Sequence, residues 1–217
     1  MNRTATAALL VFLSSMALAA SEAFNVTIDT TPINLDSGFL ALDFIGGTPV
    51  AGNVVDISHF SSDATLGSVT LTGAASGNLV NGTGKLDDSQ FFNELLQGVT
   101  FGRTVSFSLS FTTNVVSGGT PDNFAFYLLD ATENPYATDD PSGADSLFDI
   151  NINASTLSPS VYTSNFATVS ITPTSTTTTP EPATLWLLLP AVCALAKRHT
   201  RRVRCGVRAI ARLYAPR

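Results

Sequence analysis

The chain has 217 residues, 44 % of them hydrophobic, which supports one folded domain of ordinary size and excludes a wholly disordered chain. Its charge of −6 is unevenly spread: residues 20–182 hold all 17 acidic residues against two basic ones, Lys85 and Arg103, a net of −15. Such an acidic body cannot track a nucleic-acid backbone, so nucleic acid is excluded as its partner.

Residues 1–20 have the layout of a signal peptide. Arg3 gives a positive start, residues 5–16 an apolar helical core, and Ala17-Leu18-Ala19 a small-residue cleavage site. Cleavage is expected near Ala19 or Ala20, with export of the remainder. The only cysteines, Cys193 and Cys205, lie far downstream. The exported body therefore contains no disulfide, no cysteine-based zinc site and no redox pair.

From residue 24 to 171 the dominant period is two. In residues 104–112, Val105, Phe107, Leu109 and Phe111 share one face, while Thr104, Ser106, Ser108, Ser110 and Thr112 share the other. That alternation predicts a strand with one face on a core and one in water. Further strands are predicted over 24–30, 39–45, 54–60, 67–72, 124–129, 148–153 and 168–172. Gly-, Pro- and Asn-rich turn material separates them at 46–49, 74–77, 81–84, 118–121 and 140–143. Many short strands joined by such turns predict an all-β sandwich over residues 21–171, jelly-roll or immunoglobulin-like. One short helix is expected within it, over residues 88–98. Asp88 or Ser89 would cap its start, Phe91, Phe92, Leu95 and Leu96 form its apolar stripe, and Gly98 stops it. Its expected place is across one open end of the sandwich.

Few residues in this body suit catalysis. His59 is its only histidine, on a predicted strand that it shares in parity with Val55 and Ile57. No Gly-x-Ser-x-Gly elbow accompanies it, so it reads as a surface or half-buried histidine rather than a triad member. Paired carboxylates at a suitable separation hydrolyse glycosides, but no Trp occurs outside the C-terminal tail to line a sugar cleft. No catalytic residue is assigned. The acidic stretch Asp122, Asp130, Glu133, Asp139, Asp140, Asp145 and Asp149 offers carboxylates of the kind calcium takes. Asp122, Asp130, Asp139, Asp140 and Asp145 are the candidate metal ligands, although the EF-hand order is lacking. The alternative is a solvated acidic surface that keeps an exported protein soluble. Calcium is the one candidate cofactor. Tyr127, Tyr136 and Tyr162 are candidates for stacking on sugar rings, or for ordinary packing at strand ends.

Residues 172–179 are Thr- and Pro-rich and read as an extended linker. Then come Pro180-Glu181-Pro182, an apolar run over 183–196, and a basic cluster of Lys197, Arg198, Arg201 and Arg202. As a helix the 14-residue run would reach about 21 Å, short of the roughly 30 Å hydrocarbon core. Pro190 lies within it, which makes it a marginal membrane helix with its basic end in the cytoplasm.

The motif, apolar run and Arg cluster in that order, over residues 180–202, resemble the PEP-CTERM sorting domain of exported proteins from Gram-negative, exopolysaccharide-making bacteria. The resemblance implies an exosortase as partner at the inner membrane, cleavage near Pro180–Pro182, and release or transfer of the folded part to the surface or biofilm matrix. Residues 203–217 depart from the pattern by continuing past the cluster with Arg204, Arg208 and Arg212 at four-residue spacing. That extension reads either as a basic helix on the inner membrane surface or as a product of a misassigned stop codon or frameshift. The body is also similar to a group of PEP-CTERM proteins of unassigned function, through residues 38–44, 56–60, 101–107 and 124–130. That likeness imports no activity. The reading as a whole is an exported, non-enzymatic surface or matrix protein. A carbohydrate- or calcium-binding module, with exopolysaccharide as partner, is the alternative, and a glycoside hydrolase comes third.

Overall fold

The computed structural model describes residues 21–48, 50–114, 118–152 and 157–174. The signal peptide, the sorting motif Pro180-Glu181-Pro182, the apolar run 183–196, the basic cluster and residues 203–217 lie outside the described residues, as does most of the linker. The chain divides into two units, Met1–Ser175 and Thr176–Arg217, and every described residue belongs to the first. Among the described residues no helix is long and apolar enough to cross a membrane.

The described part is all-β. Its strands are β1 (Ser21–Asp29), β2 (Ser37–Ile45), β3 (Val54–Ser62), β4 (Thr65–Thr72), β5 (Ala75–Asn78) and β6 (Thr83–Asp87). They continue with β7 (Phe92–Thr100), β8 (Thr104–Thr112), β9 (Asp122–Asp130), β10 (Phe148–Ile152), β11 (Ser160–Val161) and β12 (Thr168–Pro173). Sheet A has the order β12-β1-β8-β3-β6-β5 and sheet B the order β11-β10-β9-β2-β7-β4, with antiparallel neighbours throughout. The first eight strands are nested: β1 pairs with β8, β2 with β7 and β3 with β6. They form a long hairpin rolled up on itself, with the Gly73-Ala74 turn between β4 and β5 at its head. Strands β9 to β11 then widen sheet B beyond β2, and β12 widens sheet A beyond β1.

The alternation in β8 does what its period dictates. Val105, Phe107, Leu109 and Phe111 are buried, and they meet Phe124 and Phe126 of β9 on the opposite sheet. The Phe107–Phe126 ring centroids lie 5.4 Å apart and the Phe111–Phe124 centroids 5.7 Å apart. The inner faces of both sheets thus share one core. Each phenylalanine buried there contributes roughly 2–3 kcal/mol.

The helix expected over 88–98 does not form; most of the segment is β7, an inner strand of sheet B. Its residues carry both periods at once. Asn93, Leu95, Gln97 and Val99 point inward and are buried, while Phe92, Glu94, Leu96 and Gly98 point outward. A lone helix of this length is marginal in water, whereas β7 finds ladder partners on both sides, in β2 and β4. Two of its inward residues are amides, which disguised the buried face. Asn93 donates to the carbonyls of Phe44 (3.0 Å) and Gln90 (2.9 Å) and accepts from the Ala74 amide (2.8 Å). Gln97 donates to the Gly67 carbonyl at 2.8 Å, where the register of β4 shifts. Of the supposed helical stripe, Phe91 is left 73 % exposed.

Of the residues assigned to turns at 74–77 and 81–84, Ala74 and Gly82 do lie in turns, but residues 75–77 belong to β5 and Thr83 and Gly84 open β6. Their small side chains allow this close pairing. Gly77 lies at φ +99°, and a Cβ there would meet Gly84 Cα at 2.8 Å. The parity expected for His59 also fails. The register of β3 shifts between Ser58 and Ser61, His59 sits at φ +54°, and its side chain turns out to solvent.

Candidate functional site

Three side chains whose pKa is raised, Asp43, Glu94 and Tyr127, lie together on the outer face of sheet B. Asp43 on β2 lies in register with Glu94 on β7 and with Ala125 on β9; Ala125 in turn lies in register with Asp149 on β10. With strands about 4.8 Å apart, Asp43 and Glu94 are direct neighbours and Asp149 stands about 10 Å from Asp43. The floor beside them is apolar: Ala41, Leu96 and Leu129 are buried, with Phe39 and Tyr127 packed against them.

This floor desolvates the acids. Burial in the first place, and the neighbouring Glu94 in the second, push Asp43 up to about 7. Its Oδ1 is shielded from solvent and has no hydrogen-bond partner among the described residues. Burial, then Glu133, also raises Glu94, against the opposing effect of the Thr72 hydroxyl. Tyr127 is pushed up to about 12, first by burial and then by Asp43, Asp140 and Asp149. At the far end of the row the Tyr162 hydroxyl donates to Asp149 Oδ2 at 2.6 Å, the main reason its phenol too is pushed up to about 12. Along the strands toward β4, Gly38, Gly67 and Gly98 leave a groove of about 360 Å³, with Phe39 as one wall.

The five aspartates proposed as calcium ligands are not brought together. Asp122 and Asp130 occupy opposite ends of β9, about 26 Å apart along an extended strand. Asp130 accepts from the amides of Thr132 and Asn134 and from the Thr132 hydroxyl, which together hold its carboxyl low, Thr132 most of all. Asp139 accepts from the Thr163 amide and Asp145 from the Thr138 amide. Burial pulls Asp140 up, but bonds from Ser142 and Ser146 outweigh it and hold it below the usual carboxylate range. Among the described residues, no group of three His, Cys, Asp or Glu converges as a metal site.

Asp122 belongs to a different cluster. It is 3 % exposed, accepts from the Gly47 amide and from Asn53 Nδ2 (2.7 Å), and lies beside Asp88, also 3 % exposed. Asp88 accepts from the amides of Ala51 and Gly52. Asn53 also donates to the Asn114 carbonyl and accepts from its amide. These buried groups clasp the loop between β2 and β3 to the residues following β8. Burial raises the Asp122 pKa, and Asp88 adds to the rise, against the bonds from Asn53 and Gly47.

His59 is exposed, with Nδ1 3.2 Å from Ser58 Oγ. Tyr136 packs its ring on Phe166 and Phe101, so of the three tyrosines only Tyr127 and Tyr162 belong to the acidic row. Sequence reasoning missed Asp43 and Glu94. The one available sign was an acid inside the apolar run Phe39–Leu42 and Phe44-Ile45. No protein-family model, curated protein or solved structure matches the chain.

Proposed function

We propose that this is an exported bacterial surface or matrix protein. Its Pro180-Glu181-Pro182 tail is held in the inner membrane until an exosortase removes it, and its folded part contacts extracellular polysaccharide without catalysing a reaction. The folded part is a jelly-roll rather than an immunoglobulin-like sandwich, a reading supported by the nested pairing of β1 with β8, β2 with β7 and β3 with β6. The observation that carries the contact role is the outer face of sheet B. Acids, tyrosines and an open groove lie there on one broad face, a form suited to holding a chain-like ligand along its length.

The test is mass spectrometry of the mature protein from host cells with and without the exosortase. The expected result is a C-terminus near Pro180–Pro182 in the first strain and a chain that keeps the apolar run 183–196 in the second. Chains that keep residues 183–196 in both strains would refute sorting by this route. A pull-down on the host's own exopolysaccharide tests the contact role separately.

A further inference from the structure

We infer that the loop between β2 and β3, residues 46–53, is a pH-operated latch: a proton shared by Asp88 and Asp122 holds it to the end of the sandwich, and loss of that proton lets it go. The inference concerns a movement of the fold itself and stands apart from the polysaccharide-contact reading.

Three observations carry it. First, the two acids are what tie the loop down. Gly47 donates its amide to Asp122 Oδ1, while Ala51 and Gly52 donate theirs to Asp88 Oδ2 at 3.0 and 2.8 Å. Where the loop ends, Asn53 donates to Asp122 Oδ2 at 2.7 Å, and its carbonyl accepts from the Asp88 amide at 3.1 Å. The loop's other ties are polar too: the paired bonds of Thr48 with Thr120, and that from Gly46 to the Phe91 carbonyl. Its one branched apolar side chain, Val50, is 57 % exposed. A segment held by polar bonds with little apolar burial opens locally at low cost. The closed position is nonetheless a close fit, since a Cβ on Gly47 would meet Asp122 Oδ1 at 2.8 Å.

Secondly, the two carboxyls lie side by side, each 3 % exposed. Two ionised carboxylates have no donor between them and repel. One proton turns the same contact into a hydrogen bond. Thirdly, nothing else neutralises the pair. The loop carries no ionisable side chain, and neither do Thr113 and Asn114 after β8 or Thr120 and Pro121 before β9. Asp87, beside Asp88 in the chain, accepts from the Ser89 amide, and Glu22 at the start of β1 accepts from the Leu157 amide. Lys85 stands in register with Asp56, and Arg103 precedes β8, at the end of that strand away from Asn114.

The direction of the latch follows. Burial raises Asp122 most, the bonds from Asn53 and Gly47 oppose it, and Asp88 adds to the rise. A proton held more tightly in the closed form favours closure in acid, and that contribution is lost as the pH rises.

The test is amide hydrogen exchange of the purified full-length chain in EDTA, from about pH 5 to about pH 8.5, corrected for the intrinsic pH dependence of exchange. Residues 46–53 are expected to lose protection by about tenfold or more as the pH rises, the factor that one pKa unit carries. Strand β8, paired on both sides, is expected to keep its protection. Asp88→Asn keeps an oxygen for the Ala51 and Gly52 amides and sets a permanent N–H donor beside Asp122. Its loop is expected to stay protected throughout. Asp122→Asn keeps an oxygen for Gly47 and turns its N–H toward Asp88, and is likewise expected to remove the pH dependence. Protection of β8 shows that each variant is folded; if one is not, the other carries the comparison. Wild-type protection of 46–53 that is constant with pH, or that increases as pH rises, overturns the inference. So does a loss that β8 shares, or one that persists in a folded variant.

Discussion

Replacing Asp43 with Asn isolates the electrostatics of sheet B in a stability measurement. In the folded chain this carboxyl is raised from 3.8 to about 7, by burial first and by Glu94 second. Unfolding returns it to water and to its ordinary value. The folded state therefore holds the proton more tightly. Stability owed to Asp43 is complete below about pH 4 and is lost as the pH rises through about 7. At about 1.4 kcal/mol per unit, a gap of roughly three units sets an upper bound near 4 kcal/mol. Partial access to solvent reduces this to about 2 kcal/mol. Asn keeps the shape and does not titrate. Urea unfolding of both proteins from about pH 4 to about pH 8 gives the difference directly, because the other carboxyls titrate in both and cancel. The wild type is expected to lose about 2 kcal/mol relative to Asp43→Asn over that interval and to level off above about pH 8. Glu94→Gln in the wild-type background is expected to shrink the effect, since it removes the second cause. A difference that stays constant with pH, or that favours the wild type as pH rises, would show that Asp43 is not held in a desolvated, like-charged site.

Two further outcomes are expected from the same geometry. Asn93→Ala strips partners from three backbone groups joining β2, the turn before β7 and the β4–β5 turn; at about 1 kcal/mol each the loss is about 3 kcal/mol, read as a lower urea midpoint at unchanged slope. In a spectrophotometric titration, Tyr127 and Tyr162 are expected to ionise last, near about 12, and Asp149→Asn is expected to bring Tyr162 down by removing its main cause.

How far the sequence could be read depended on whether a strand's buried face was apolar. Strand β8 was legible residue by residue, because Val105, Phe107, Leu109 and Phe111 alternate with Ser and Thr. The helix expected over β7 fails because Asn93 and Gln97 occupy buried positions as amides; only the β4–β5 turn that Asn93 holds and the register shift in β4 that Gln97 bonds explain them. The strand β5 and the start of β6 were hidden by turn-forming residues, whose small size is what lets the two backbones approach at Gly77 and Gly84. His59 followed its expected parity until a register shift in β3 reversed it.

The site divides along the same line. Composition alone determined an acidic, cysteine-free, strand-rich body, because charge count, cysteine position and period are local properties of the chain. The meeting of Asp43 with Glu94, their separation from Asp149 by one alanine, and the parting of Asp122 from Asp130 were decided only by tertiary structure. Each depends on which strand lies beside which and in what register. Register is set by burying one whole face of each sheet, a condition that no single strand carries in its own sequence.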